Sequence, residues 1–320
     1  MTGETRKIDV HQHILPPEYL SALAKLGITP GGGSPLPTWD AWNVQSTLEL
    51  MDRHGISTAI TSIPEPGIYF GDRGFARDLA RRCNDYSARL IHEYPHRFGA
   101  FAILPLPDLD AALRELEYAL DTLELDGIVL LSSIEGRYPG DPAFDELFTE
   151  LNRRKAVVFL HPTLPAINTG LKLNLPPFLV EFVFDTTRAV VNLVYSGTLE
   201  RCPGIRFIIA HAGGTVPYLA FKISMGQVMM LPGAPQGVLT YLKRLYYDTA
   251  LSANPHVLRS LQELVDASHI LFGSDHPFAP EILTSFTVQG IENYDGFDEQ
   301  ARRLVERESA LALFPRFSLV

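Results

Sequence analysis

The chain has 320 residues, 46% of them hydrophobic, and its 27 Lys and Arg against 37 Asp and Glu give a formal charge of −10. That length suits one large domain or two ordinary ones, with core enough to need no disulfide staples; two cysteines, Cys83 and Cys202, fit a reduced compartment. The acidic balance argues against nucleic-acid or anionic-membrane partners, which demand a basic patch, and no apolar run approaches the roughly 18 residues that cross a bilayer. The opening MTGETRKIDV has no apolar h-region and runs almost at once into a strand pattern, so a cytoplasmic protein is expected.

Taken in chain order, short β-branched or apolar runs predict strands over Lys7–His13, Ile56–Pro64, Arg97–Pro105, Leu125–Ser133, Ala156–Thr163, Gly204–Gly214, Leu245–Leu251 and His269–Pro277. Amphipathic stretches predict helices between them over Phe75–Glu93, Leu109–Leu123, Pro142–Arg154, Phe178–Leu199 and Pro255–Asp266. Eight strands alternating with helices imply a parallel sheet closed into a (β/α)₈ TIM barrel. An open doubly wound sheet is the alternative, but no Gly-x-Gly-x-x-Gly turn follows an early strand. No linker or repeat is visible, so residues 1–320 are expected to form a single barrel domain, with 298–320 as a closing helix. The Gly/Pro-rich stretch Thr29–Pro37 reads as a long loop after the first strand, either a lid over the site or a plain mobile connection.

Distinctive polar groups fall at the C-terminal ends of these strands, which in a barrel converge on one mouth. The first strand ends Asp9-Val10-His11-Gln12-His13, and a period of two sends His11 and His13 to one face. His161 follows Val157-Val158-Phe159-Leu160, and His211 follows Ile208-Ile209-Ala210 and precedes Gly213-Gly214. Asp275 closes the last strand in Gly273-Ser274-Asp275-His276-Pro277. Each alone could be a hydrogen-bonded core residue, since an unpaired buried polar group costs roughly 1–3 kcal/mol. Together, five groups placed alike on four strands are accounted for by one shared divalent metal. Asp248, ending the seventh strand, could orient a ligand histidine or make a structural hydrogen bond. Trp39, Tyr69, Phe184 and Phe278 could line an aromatic pocket or simply pack.

These motifs, running in order from about Ile8 to Pro277, resemble the amidohydrolase superfamily. More narrowly, they resemble its branch of aminocarboxymuconate-semialdehyde decarboxylases and non-oxidative aryl-acid decarboxylases. The opening DVHQHILPPEYL and the Trp39…Trp42 segment look most like 6-methylsalicylate decarboxylases. The resemblance implies that His11, His13, His161 and Asp275 hold one divalent metal, zinc or manganese, and that His211 is the acid/base group. It also implies a homodimer and no organic cofactor. Hydrolytic relatives bridge two metals with a carbamylated lysine on the fourth strand; Gly127-Ile128-Val129-Leu130-Leu131-Ser132-Ser133 has none, which favours one metal.

The implied reaction is metal-dependent, non-oxidative decarboxylation of a small aromatic or unsaturated carboxylic acid such as a hydroxybenzoate, with His211 or Asp275 supplying the proton. Metal-assisted hydrolysis of a lactone or amide uses the same residues, and a non-catalytic metal-binding barrel is the remaining alternative. Aminocarboxymuconate enzymes use an arginine in the loop after the first strand, yet no Lys or Arg lies between Lys25 and Arg53. Arg73, Arg137 and Arg188 are candidates for meeting a substrate carboxylate, or ordinary surface charges.

Overall fold

The structure, a computed structural model, describes residues 7–28, 42–164 and 175–319. Eight strands are present: β1 (Lys7–His13), β2 (Ile56–Ser62), β3 (Phe98–Ile103), β4 (Gly127–Leu131), β5 (Val157–His161), β6 (Arg206–Ile209), β7 (Tyr246–Asp248) and β8 (Ile270–Leu271). They pair in parallel in sequence order. Val10 N–H donates to Phe272 O at 2.9 Å and His13 N–H to His276 O at 2.7 Å, which joins the last strand region to the first. The chain is therefore an α/β barrel of the TIM type.

Helices cover its outside: α1 (Pro17–Leu26), α2 (Val44–Arg53), α3 (Arg73–Glu93), α4 (Leu109–Glu117), α5 (Asp145–Arg154), α6 (Glu181–Tyr195), α7 (Val216–Val228), α8 (Pro255–Gln262) and α9 (Glu281–Glu292). Their starts are written locally. Asp72 caps α3 by accepting from Phe75 N–H, Asp108 caps α4 through Ala111 N–H, and Asn254 caps α8 just before Pro255.

Strands covered on both faces must be apolar throughout, and Val157–His161 is buried at every position. Inside the barrel, Phe101 and Phe159 stack with ring centroids 5.3 Å apart, and Phe159 meets the His11 ring edge-on at 4.9 Å. The site thus stands on an aromatic floor rather than over a pore.

β1 spans Lys7–His13 as expected, and the other seven strands are shorter than their runs suggest. Gly204–Gly214 pairs over Arg206–Ile209 alone, because His211 and Ala212 turn into left-handed conformation at φ 53° and 54°. The long helix expected over Phe178–Leu199 is divided, a short turn at Pro177–Leu179 preceding α6 and Gly197 at φ 75° ending it. The expected helix Pro255–Asp266 stops at Gln262. In the tail, Glu299–Leu313 is helical with a wide turn at Leu304–Glu308, and Phe272 N–H donates to Val305 O at 2.8 Å beneath β8. The expected loop Thr29–Pro37 lies outside the described residues.

Candidate metal centre

Strand ends at the C-terminal mouth bring His11, His13, His161 and Asp275 together, all buried, with one ligand atom of each within 4.8 Å of the others. His11 Nε2 and His13 Nε2 are 3.2 Å apart, and Asp275 Oδ1 lies 3.2 Å from the first and 3.1 Å from the second. A bulge in β1 between Asp9 and Gln12 locally breaks the simple pleat, yet both imidazoles still face inward, their centroids 5.0 Å apart.

Each ring is held from behind. His11 Nδ1–H donates to Asp248 Oδ2 at 2.8 Å, and His161 Nδ1–H to Pro162 O at 2.8 Å. His13 Nδ1 is 3.0 Å from Ser62 Oγ, whose hydroxyl can turn to Gln12 O at 3.4 Å and leave the oxygen to accept. With Nδ1 committed as donor in all three, every Nε2 presents a lone pair. Three lone pairs and a carboxylate converging at these distances repel one another unless a cation lies between them. Separations of 3.1–3.2 Å also approach the edge, roughly 3.3 Å, of a tetrahedron of ligands about a zinc-sized ion. The residues fit one divalent metal.

The electrostatics point the same way. Burial and then the neighbouring His13 and His11 push His161 well below its ordinary range. Burial likewise lowers His13. Burial opposes ionisation of Asp275 too, but His11 and His13 outweigh it and hold that carboxyl well below the usual range. His11 is the exception: burial opposes its charge, but Asp248 and Asp275 outweigh it and push it up to about 10. The buried carboxylates of Asp248 and Asp275 thus favour positive charge at the cluster.

His211 stands beside this set, its ring centroid 4.9 Å from His11 and 6.1 Å from His161. Its Nδ1–H donates to Ala250 O at 3.1 Å, so Nε2 is the position free to exchange a proton. His11, His211 and Asp248 also cluster. Asp248 is already committed, however: Oδ1 accepts from the backbone N–H of His211 at 2.9 Å and of Ala250 at 3.0 Å, while Oδ2 holds His11. Both of its oxygens therefore face protein donors. Asp275 and His211 both sit at positive φ, 64° and 53°, conformations that persist only where surroundings hold them. Gly213 and Gly214 permit the turn after His211, since a Cβ on Gly214 would meet Val183 O at 2.2 Å.

Two tethers escaped sequence reasoning. Asp9, fully buried, accepts from His11 N–H at 3.0 Å, Ser274 N–H at 3.1 Å and Gln12 Nε2 at 2.9 Å, tying β1 to the segment that carries Asp275. Ser62 stands opposite His13 in register, a placement readable once the barrel was assumed.

A cavity of about 500 Å³ opens beside the cluster, lined by His161, His211 and Asp275 and walled by Phe178, Phe182, Phe278, Leu283 and Phe286 among others. No Lys or Arg is among its described lining residues. Arg137 and Arg188 instead approach Asp141 and Asp185, at 3.9 Å each. Of the aromatic candidates, Phe278 lines this cavity, Tyr69 lines a smaller one, Phe184 lines neither and Trp39 lies outside the described residues.

A TIM-type barrel with an inward His/Asp cluster at its mouth defines a class of metal-site barrels. The amidohydrolase family model matches residues 8–316, and the chain belongs to that family. It is 39% identical to the decarboxylase yanB of Aspergillus niger, over 98% of this chain and 88% of that protein. It is 37% identical to the 6-methylsalicylic acid decarboxylase of Penicillium expansum, over 97% and 96%. The solved structure of 2,6-dihydroxybenzoate decarboxylase from Rhizobium superposes with a TM-score of 0.81 at 26% identity, over 97% of this chain and 98% of that one. The expected family and fold are borne out.

Proposed function

We propose that the chain is a metal-dependent, non-oxidative decarboxylase of a small aromatic carboxylic acid, a hydroxybenzoate being the type substrate, working in the cytoplasm as a single barrel domain. The observation that carries this reading is the lysine-free His11, His13, His161 and Asp275 set opening directly onto an aromatic-walled cavity. Relatives named as decarboxylases of 6-methylsalicylic and 2,6-dihydroxybenzoic acids support it over hydrolysis.

When bound on those four side chains, a divalent ion supplies Lewis-acid withdrawal of charge from the substrate's oxygens. The aromatic walls seat the ring and exclude water. With no cation in the described lining, the substrate carboxylate is drawn to the His/Asp cluster itself. His211, fixed through Nδ1, delivers a proton from Nε2 to the ring carbon bearing the carboxylate. Asp275 is the other group placed to hold that proton. Protonation costs the ring its aromaticity. The carbon–carbon bond then breaks, its electrons return to the ring and CO₂ leaves. One proton replaces one carboxylate, so the balance needs no oxidant or organic cofactor.

The test is CO₂ release by the purified, metal-loaded protein from a panel of hydroxybenzoates, with lactones and amides assayed in parallel. Turnover of an aryl acid is expected. Cleavage of a lactone or amide with no CO₂ from any acid would overturn the reading.

A further inference from the structure

On the wall of the site cavity, two nearly buried hydroxyls go unused among the described residues. Thr287, on α9, is 3% exposed, and Ser252, in the turn after β7, is 8% exposed; both line the cavity that holds His161, His211 and Asp275. A buried hydroxyl ordinarily finds a partner. On a helix the nearest one is the carbonyl four residues back, as Ser285 uses on the same helix, its hydroxyl donating to Glu281 O at 3.2 Å. Thr287 makes no such bond, and neither its Oγ1 nor Ser252 Oγ has a hydrogen-bond partner among the described residues. The two other polar lining residues outside the His/Asp cluster are already engaged. Asn254 Oδ1 accepts from His256 N–H at 3.1 Å and Val257 N–H at 3.3 Å, and Glu65 has a partner of its own.

The fold brings the two hydroxyls to one wall. α9 presses on the loop after β7 so closely that a Cβ on Gly290 would collide with Ala253 O. Thr287 precedes Gly290 by three residues, so it lies on the same helix face, toward Ala253 and its neighbour Ser252. The turn that carries Ser252 is fixed in its own right. Asp248 Oδ1 accepts from Ala250 N–H at 3.0 Å, Ser252 N–H donates to Thr249 O at 3.0 Å, and Leu251 is held at φ 54°. Ala250 O also anchors His211 Nδ1, which ties the position of Ser252 to that of the proposed acid/base group.

We propose that Ser252 and Thr287 form a subsite for a second ring hydroxyl of the substrate, one that the metal cluster does not take. The inference rests on the reading of an aromatic acid as substrate and names a substituent which that acid carries. A hydroxyl both donates and accepts, so a pair of them matches a phenolic hydroxyl, which does the same. A second carboxylate is a poor match, because the described lining offers no Lys or Arg to offset its loss of water. An alkyl group there leaves both hydroxyls buried and unpaired.

Titration calorimetry of the metal-loaded full chain with phenol, resorcinol and hydroquinone tests this without requiring turnover. Phenol has one hydroxyl to give to the cluster, and the two diphenols carry a second too far round the ring to chelate the same ion. Resorcinol or hydroquinone should bind on the order of 10-fold tighter than phenol, the yield of one or two neutral hydrogen bonds. Thr287→Val combined with Ser252→Ala should bring that ratio to about one, whereas Thr287→Ser, which keeps the hydroxyl, should preserve it. Thr287→Val alone serves if the double variant fails to fold, and should lower the ratio by a factor of about three. Equal binding of all three compounds by the wild type, or a preference that survives the substitutions, overturns the proposal. Failure of the decarboxylase reading looks different: no CO₂ from any acid, with the diphenol preference intact, removes the chemistry and supports the subsite.

Discussion

Asp248 Oδ2 lies 2.8 Å from His11 Nδ1, and the other oxygen of the same carboxylate accepts the backbone N–H of His211. One fully buried group therefore sets both the direction of a proposed metal ligand and the position of the proposed acid/base residue. Carboxylates that orient a ligand histidine typically account for about 10- to 100-fold in metal affinity or activity. Asp248→Asn should weaken metal binding by about that factor in a chelator-competition titration. Unchanged affinity would show that His11 needs no such partner.

His11→Ala and His211→Ala should separate holding the metal from using it. The first should cut metal content in elemental analysis. The second should leave metal content intact while lowering turnover by a factor on the order of 10² or more. Loss of metal in His211→Ala, or undiminished turnover, would contradict the role given to His211.

Asp9 gathers three donors with no access to water. Asp9→Ala leaves them unpaired at roughly 1–3 kcal/mol each. Denaturant unfolding of the metal-free protein should register a loss of about 3 kcal/mol or more. A loss below about 1 kcal/mol would mean that the β1–β8 seam holds without the clamp.

Gly273 works by close approach. A Cβ there would meet His11 Cβ at 2.9 Å and Asp248 Cβ at 3.2 Å, so the bare backbone is what lets those two side chains pack against β8's end. Gly273→Ala should destabilise by about 1–3 kcal/mol and also weaken metal binding, since His11 must move. Wild-type metal affinity in a folded variant would contradict this coupling.

The barrel was legible because period and alternation are local signals. Each strand run contains a strand of the structure: Lys7–His13 coincides with β1, and the other seven overrun where the sequence continues past the ladder, as at Ala210-His211. His161, His211 and Asp275 were visible because each closes an apolar run that must end at the mouth, and His11 and His13 because alternation at a strand end sends both to one face. What stayed hidden depends on closure. Asp9 reads in sequence as one more residue of the first strand, because its partner Ser274 is 265 residues away and becomes a neighbour only when β1 meets β8.

The most direct measurement of the central claim is anomalous diffraction from crystals of the metal-loaded protein. One peak is expected, about 2.0–2.2 Å from Nε2 of His11, His13 and His161 and from an oxygen of Asp275. A peak bound elsewhere, or none at that point in a protein that still releases CO₂, would contradict it.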